Sequence, residues 1–377
     1  MERIYLDYNA STPLAPAVAS AIAAACDDAY GNPSSPHWAG RPARERIERA
    51  RADVAALLGC APDEVVFTSG GSEANNLALK GVFFASSRAR RHIVTTRVEH
   101  PAIVEPCRFL ERQGARITWL PVDRFGRIDP DDLRRAISAD TILVSVMHAN
   151  NEVGTLQPVE ECARIAREHG IAFHTDAAQS VGKVPTRVDP LGVDLLTVAG
   201  HKLYAPKGVG ALYVRAGVRL EPLIHGAGHE GGRRAGTESV LLTTALGAAA
   251  RLATDLADNE RVRVLRDRFW TLLHAQFGDG VVLNGHPAQR LPNTLNVSFV
   301  GRVGAEVLAS LDTVAASTGS ACHAGRVELS PVLEAMGITP EVGMGAVRFS
   351  LGRGTTANEI DAVVDRLTRT CRPNHST

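Results

Sequence analysis

Short β-branched runs alternating with amphipathic stretches constrain this chain more than any other feature. In residues 44–58, Ile47, Ala50, Val54, Leu57 and Leu58 share one helical stripe, and the arginines lie mostly off it. Residues 64–70 (EVVFTSG) read as a strand ending in glycine, and a helix follows from Ser72. Residues 92–98, 115–122 and 141–147 add three more, and all four are expected to be buried strands. Residues 157–170 form a helix with Pro158 at its first position, Val159, Cys162, Ile165 and Ala166 on one side, and Gly170 as the stop. Residues 171–178 read as the next strand, and 194–198 as a hydrophobic strand. This β-α-β-α order predicts an α/β fold with a mainly parallel sheet and helices on both faces. Ligands in such folds bind beyond the carboxyl ends of the strands. After about Ala250 a charged helix over 259–277 and alternating strands over 293–300 and 346–352 predict a smaller α+β domain.

Charge excludes one class of function. With 41 Lys+Arg against 41 Asp+Glu, no basic field points the chain at nucleic acid or an anionic membrane. The six cysteines are scattered with no CxxC spacing, so neither a disulfide framework nor a zinc site is expected. Cys26, Cys60, Cys107, Cys162 and Cys371 read as small buried hydrophobes in a reduced, cytoplasmic protein. The first residues show no basic-then-apolar leader, and no apolar run reaches the roughly 18 residues of a membrane span.

The candidate chemistry lies just after strands. Lys202, in AGHK, ends a hydrophobic strand, where desolvation lowers an amine's pKa and makes it a Schiff-base former; an ordinary snorkelling surface lysine fits the same spacing. Asp176, in HTDAAQS, is either a helix N-cap or a buried carboxylate in need of a cation. A pyridinium nitrogen is such a cation, and a lysine plus an acid on that nitrogen is the pairing of a pyridoxal phosphate site. Gly70-Gly71-Ser72 opens a helix whose free N–H groups suit a phosphate, although any tight strand-to-helix turn looks similar. His100 follows a strand and is either structural or placed to stack on a flat ring and move protons. Cys322 sits among small residues that leave a thiol accessible to act as a nucleophile, or is one more small hydrophobe. Arg348 either forks onto a carboxylate or makes a structural ion pair.

YLDYNAST, GNPSSPH, TSGGSEANN, EHP, HANNEVG, HTDAAQS, GHK, RRAGT, STGSACHAG and RFSLGR stand in the order in which similar motifs occur in cysteine desulfurases, and they cover essentially the whole chain. The resemblance implies the pyridoxal 5'-phosphate fold type I, with a mainly parallel seven-stranded sheet in a large domain, 16–255. Residues 1–15 and 256–377 would form a smaller domain carrying the cysteine loop. It implies that L-cysteine is converted to L-alanine, with sulfur passing to Cys322 as a persulfide and then to an acceptor protein. Acceptors in iron–sulfur assembly, tRNA thiolation, DNA sulfur modification and biosynthesis all remain open. By the same resemblance Lys202 bonds the cofactor aldehyde, Asp176 meets the ring nitrogen, and Gln179 and Asn151 lie near the ring hydroxyl. His100 stacks on the ring, Gly71, Ser72 and His201 hold the phosphate, and Thr237 reaches in from the other subunit of a homodimer. Arg348 receives the substrate carboxylate, and Asn151 lies beside the substrate. Two positions depart from the common pattern. Ala199 stands where many relatives have serine, and His323 follows the cysteine as in selenocysteine lyases, which keeps selenocysteine as an alternative substrate.

Overall fold

The computed structural model describes residues 3–87, 89, 91–318, 322–323 and 326–371, with the side chains of 322–323 and 326–327 outside the description. Seven strands form the larger sheet in the order Val65–Thr68, Gly210–Val214, Leu195–Ala199, Ala172–Asp176, Thr141–Ser145, His92–Thr96, Arg116–Leu120. Gly210–Val214 runs antiparallel to both neighbours, and the strands from Leu195–Ala199 onward pair in parallel. Helices cover both faces, so the inner strands are buried along nearly their whole length.

Three local expectations change. The strand expected over 115–122 is not buried: Arg116–Leu120 closes the sheet edge, pairs only with His92–Thr96, and buries Leu120 alone. Pro158 is the N-cap rather than the first helical residue, because its ψ of 59° is non-helical while its carbonyl already accepts from Cys162 N. Cys26 is exposed and Cys60 half-buried, whereas Cys107, Cys162 and Cys371 are buried. The helix Pro16–Asp28 that carries Cys26 buries only Val18 and Ala25, so its stripe is narrow.

The helix Gly40–Leu58 starts earlier than its stripe suggests and lies against Val240–Ala253. A Cβ on Gly247 would stand 2.6 Å from Ala50 Cα, so this packing needs glycine. Arg51 breaks the polar-face pattern. It is buried, donates to Val65 O at 2.8 Å, and pairs through both terminal nitrogens with the Glu230 carboxylate at 2.8 and 2.9 Å. Glu230 also accepts from Phe67 N and sits at φ 50°, fixing the glycine-rich segment to the sheet.

The second sheet is antiparallel, in the order Ser317–Thr318, Ala346–Ser350, Thr294–Phe299, Val281–Asn284. Phe269 and Leu273 from Ala257–Phe277, and Ile360, Val363 and Leu367 from Ala357–Cys371, pack on its apolar face. The apolar–polar alternation of its central strands suggests one wet face, yet Asn296, Ser298, Arg348 and Ser350 are buried too. Their face is turned toward the first sheet and the start of the chain: Asn296 donates to Glu152 O, and Ser350 Oγ accepts from Asn9 N at 2.9 Å. Ile4–Tyr5 pairs in parallel with Val314–Ala315, and Asp7 bridges to Ser350, so residues 4–12 thread between the sheets. Among the described residues no single helix is long and apolar enough to cross a membrane.

Candidate active site

A cavity of about 620 Å³ opens at the carboxyl ends of the parallel strands. It gathers Gly71, Ser72, His100, Asn151, Asp176, Gln179, His201, Lys202 and Arg348, residues spread over most of the sequence. Thr237 is not among them. It lies in a separate surface depression with Tyr30 and Leu241. The backbone at Cys322–His323 pairs with Arg326–Val327, and the side chains of Cys322 and His323 lie outside the described residues.

Lys202 ends the short turn Gly200–Lys202 that follows the strand Leu195–Ala199. Its Nζ donates to the carbonyls of Asn9 and Ala10, the latter at 2.8 Å. Burial pushes this amine down to about 8; Arg348 acts the same way, while Asp7 and Asp176 oppose it. A large neutral fraction near pH 8 is what condensation with an aldehyde requires. The surface-lysine reading therefore fails for Lys202. A second amine, Lys183, is pushed to about 7 by burial, then by Lys202 and Arg348, and it donates to Gln179 Oε1 at 3.0 Å and Asn9 Oδ1 at 3.4 Å.

Asn9 joins these groups. Its Oδ1 also accepts from Asn293 Nδ2, its Nδ2 donates to Thr294 Oγ1 at 2.8 Å and Asn151 O at 3.3 Å, and its carbonyl accepts from Gln179 Nε2 at 2.9 Å. Asn9, Asp7, Asn75, Glu99 and Lys183 had no assigned role in the sequence. Their one signal was their polarity within otherwise apolar or motif-bearing segments.

Asp176 is 6 % exposed. Its Oδ2 accepts from Asn75 Nδ2 at 2.7 Å and its Oδ1 from Ala178 N at 2.9 Å. It caps a turn rather than a helix, and among the described residues it has no ion-pair partner. His100 is the N-cap of Pro101–Arg112, with Nδ1 accepting from Ala102 N at 3.1 Å. That bond puts the proton of the neutral ring on Nε2, and a helix N-terminus disfavours the imidazolium. Desolvation lowers the His100 pKa, with Lys202 adding to the effect and Asp176 opposing it. Beneath it, the wholly buried Glu99 accepts from Thr96 Oγ1 and Met147 N, and burial pushes its acid up to about 8.

At the other end, the helix Gly71–Ala85 starts after Gly70 with no side-chain cap, leaving first-turn N–H groups facing the cavity. A Cβ on Gly71 would stand 3.2 Å from Ala199 Cβ, so backbone and strand end meet closely there. His201 is driven to about 4 by burial and then by Lys202, and is neutral at physiological pH. Arg348 is 8 % exposed; Nη1 donates to Asn151 O and Nη2 to Asp7 Oδ1, each at 2.9 Å, and Nε is buried with no partner among the described residues.

These residues fit a phosphorylated, aldehyde-bearing pyridine: an amine poised to be neutral, a buried carboxylate lacking a counter-cation, and an uncapped helix start for the phosphate. The comparisons agree. Residues 4–363 match the family described as aminotransferase class-V. "Cysteine desulfurase IscS" of Dictyoglomus turgidum is 49% identical over 370 residues, 97% of this chain and 94% of that protein. "Cysteine desulfurase IscS" of Methanosarcina thermophila is 44% identical over 96% of this chain and 90% of its own length. Among solved structures, a NifS-like protein superposes with a TM-score of 0.91 at 35% identity, covering 97% of this chain and 98% of that one. "SspA in complex with cysteine" does so with a TM-score of 0.84 at 37% identity, covering 94% and 100%. The chain belongs to the class-V aminotransferase family and, within it, to the cysteine desulfurases, pyridoxal phosphate-dependent sulfurtransferases of fold type I.

Proposed function

We propose that this chain takes sulfur from L-cysteine, leaving L-alanine, with Cys322 as the sulfur-accepting nucleophile. The observation that carries the residue assignments is the meeting of Lys202, Asp176 and Arg348 on one cavity. Gly71, Ser72 and His201 would hold the cofactor phosphate, Asp176 the ring nitrogen, Gln179 and Asn151 the ring hydroxyl, and His100 the ring face. Bound there, pyridoxal phosphate supplies an electron sink for the substrate carbons.

Arg348, on the cavity wall, fixes the substrate carboxylate through its guanidinium. Lys202, once displaced from the cofactor, is the base that moves the Cα proton. His100, with Nδ1 occupied by Ala102 N–H and its proton on Nε2, serves the substrate sulfur as a hydrogen-bond donor, and the thiol proton stays on the transferred sulfur. Cys322 thiolate attacks the substrate sulfur and the Cβ–S bond breaks. The carbon fragment keeps the electron pair, gains a proton and leaves as L-alanine, while Cys322 carries the sulfur as a persulfide. An acceptor protein then takes that sulfur. The relatives favour sulfur over the selenocysteine alternative raised by His323. A homodimer accounts for Thr237, which lies near the exposed rings of Tyr30 and Trp38 on a face suited to a second subunit.

The test assays alanine and sulfide from L-cysteine under a reductant in wild type and Cys322→Ala. The expected result is stoichiometric alanine and sulfide in wild type, and an intact visible absorbance response to cysteine without persulfide in the variant. Full sulfur release by Cys322→Ala would overturn the assignment.

A further inference from the structure

Arg348 does not meet the cavity alone. Its Nη2 is held at 2.9 Å by Asp7 Oδ1, and that same oxygen accepts from Ser317 Oγ at 2.8 Å. Ser317 is the direct cross-strand neighbour of Arg348, and Asp7 is bridged to Ser350, two residues further along the arginine's strand. Tyr5 donates to the Asp7 carbonyl at 3.2 Å. The carboxylate is thus fixed by Arg348 and Ser317, and its backbone by Tyr5 and the bridge to Ser350; Nε is the one buried, unpartnered donor of the guanidinium among the described residues.

We propose that Asp7 is a positioning residue for substrate binding: it holds the Arg348 guanidinium, with Asn151 O at its other terminal nitrogen, in one fixed place on the cavity wall as a preset site for one amino-acid carboxylate. The inference rests on the assignment of Arg348 to the substrate carboxylate. An arginine side chain is rotamer-rich, and a fixed carboxylate removes the freedom that substrate binding would otherwise have to remove. Asp7 also balances charge at the lysine. Lys202 is faced by Arg348, Lys183, His100 and His201, and on the other side by Asp7 and Asp176.

The experiment compares holoenzymes of wild type, Asp7→Asn, Asp7→Ala and Arg348→Gln. It measures KM and kcat for L-cysteine, the Kd of L-alanine from the visible absorbance change, and the pH titration of that absorbance. Asp7→Asn keeps the size of the side chain and an acceptor for Ser317, which protects folding. Expected for both Asp7 variants is a rise in KM and in the L-alanine Kd of about tenfold or more, the scale for stripping one partner from a desolvated charge pair. Far less change is expected in kcat, together with a lower titration midpoint. If Arg348→Gln leaves KM unchanged, the assignment of Arg348 falls and Asp7 falls with it. If Arg348→Gln raises KM while the Asp7 variants keep wild-type KM and Kd, the Asp7 proposal alone is overturned. A parallel loss of kcat with an unmoved midpoint marks structural damage and overturns it as well.

Discussion

Asn75 donates to Asp176 across 2.7 Å, joining the first turns of Gly71–Ala85 to the end of the strand Ala172–Asp176. The helix start suited to a phosphate and the carboxylate suited to a ring nitrogen are therefore one unit, spaced before any cofactor arrives. Asn75→Ala leaves Asp176 Oδ2 buried and unpaired, which costs about 1–3 kcal/mol. Denaturant melts of the cofactor-free protein should show that loss, with weaker cofactor binding by absorbance titration. A variant with wild-type stability and affinity would mean that Asp176 needs no support from Asn75.

Glu99 sets a pH dependence of stability. Burial raises its acid from 4.5 to about 8, so the folded state holds the proton more tightly than the unfolded one. Its contribution is complete below about 4.5 and is lost as pH rises through about 8. Glu99→Gln has nothing to titrate, and the stability difference, variant minus wild type, should grow more favourable across that window. Lys183 and Lys202 are depressed amines whose penalty is relieved as pH rises from about 7 and 8 toward 10.5. Both remain in wild type and variant, so they cancel in the difference. A difference flat in pH would show that Glu99 titrates alike in the folded and unfolded protein.

Glu230→Ala leaves buried Arg51 with the exposed Glu48 carboxylate at 3.5 Å and Val65 O in place of its two-pronged partner, and a loss of up to about 3–5 kcal/mol is expected. The pair Arg51→Met with Glu230→Leu should recover a large part of it in thermal or denaturant unfolding. Because Glu230 anchors the loop before Thr237, the single variant should also weaken self-association, read by sedimentation as a function of concentration. An unaltered unfolding midpoint would remove Glu230 as the anchor.

Asn9→Ala removes a side chain that bonds Thr294, Asn293, Asn151 and Lys183, and keeps the backbone bond from Asn9 N to Ser350 Oγ. Its side chain satisfies several buried groups at once, so a destabilisation of at least about 2 kcal/mol is expected. Lys202 contacts only the backbone carbonyl of Asn9, so the amine itself should persist and reduction with cofactor and borohydride should still label it. Failure to label Lys202 in a folded Asn9→Ala protein would show that the side chain is needed to place the lysine.

The layered fold was legible because buried parallel strands are continuous apolar runs and helices carry stripes. Lys202 and Asp176 were legible because each ends such a run. The edge strand Arg116–Leu120 was not, since Ile117, Trp119 and Leu120 look alike whether one or two neighbours pair with them. Asp7 and Asn9 were hidden for a different reason. They act on residues hundreds of positions away, and no local spacing encodes a bond from Asp7 to Arg348.

Threading residues 4–12 between the sheets has a consequence for how the protein is made. The strand partners of that segment, Val314, Ala315 and Ser350, are synthesised after all seven strands of the main sheet. A nascent chain that has not yet emerged past 350 has the seven strands of its main sheet and the contacts of Gln179, His201, Lys202 and Tyr204 with residues 9–15, but not the strand pairing of Ile4–Tyr5 or the Asp7–Ser350 bridge. The placement of the Asn9 and Ala10 carbonyls on Lys202 is therefore completed only once residue 350 has emerged, by a long-range closure, and not gradually as the sheet grows.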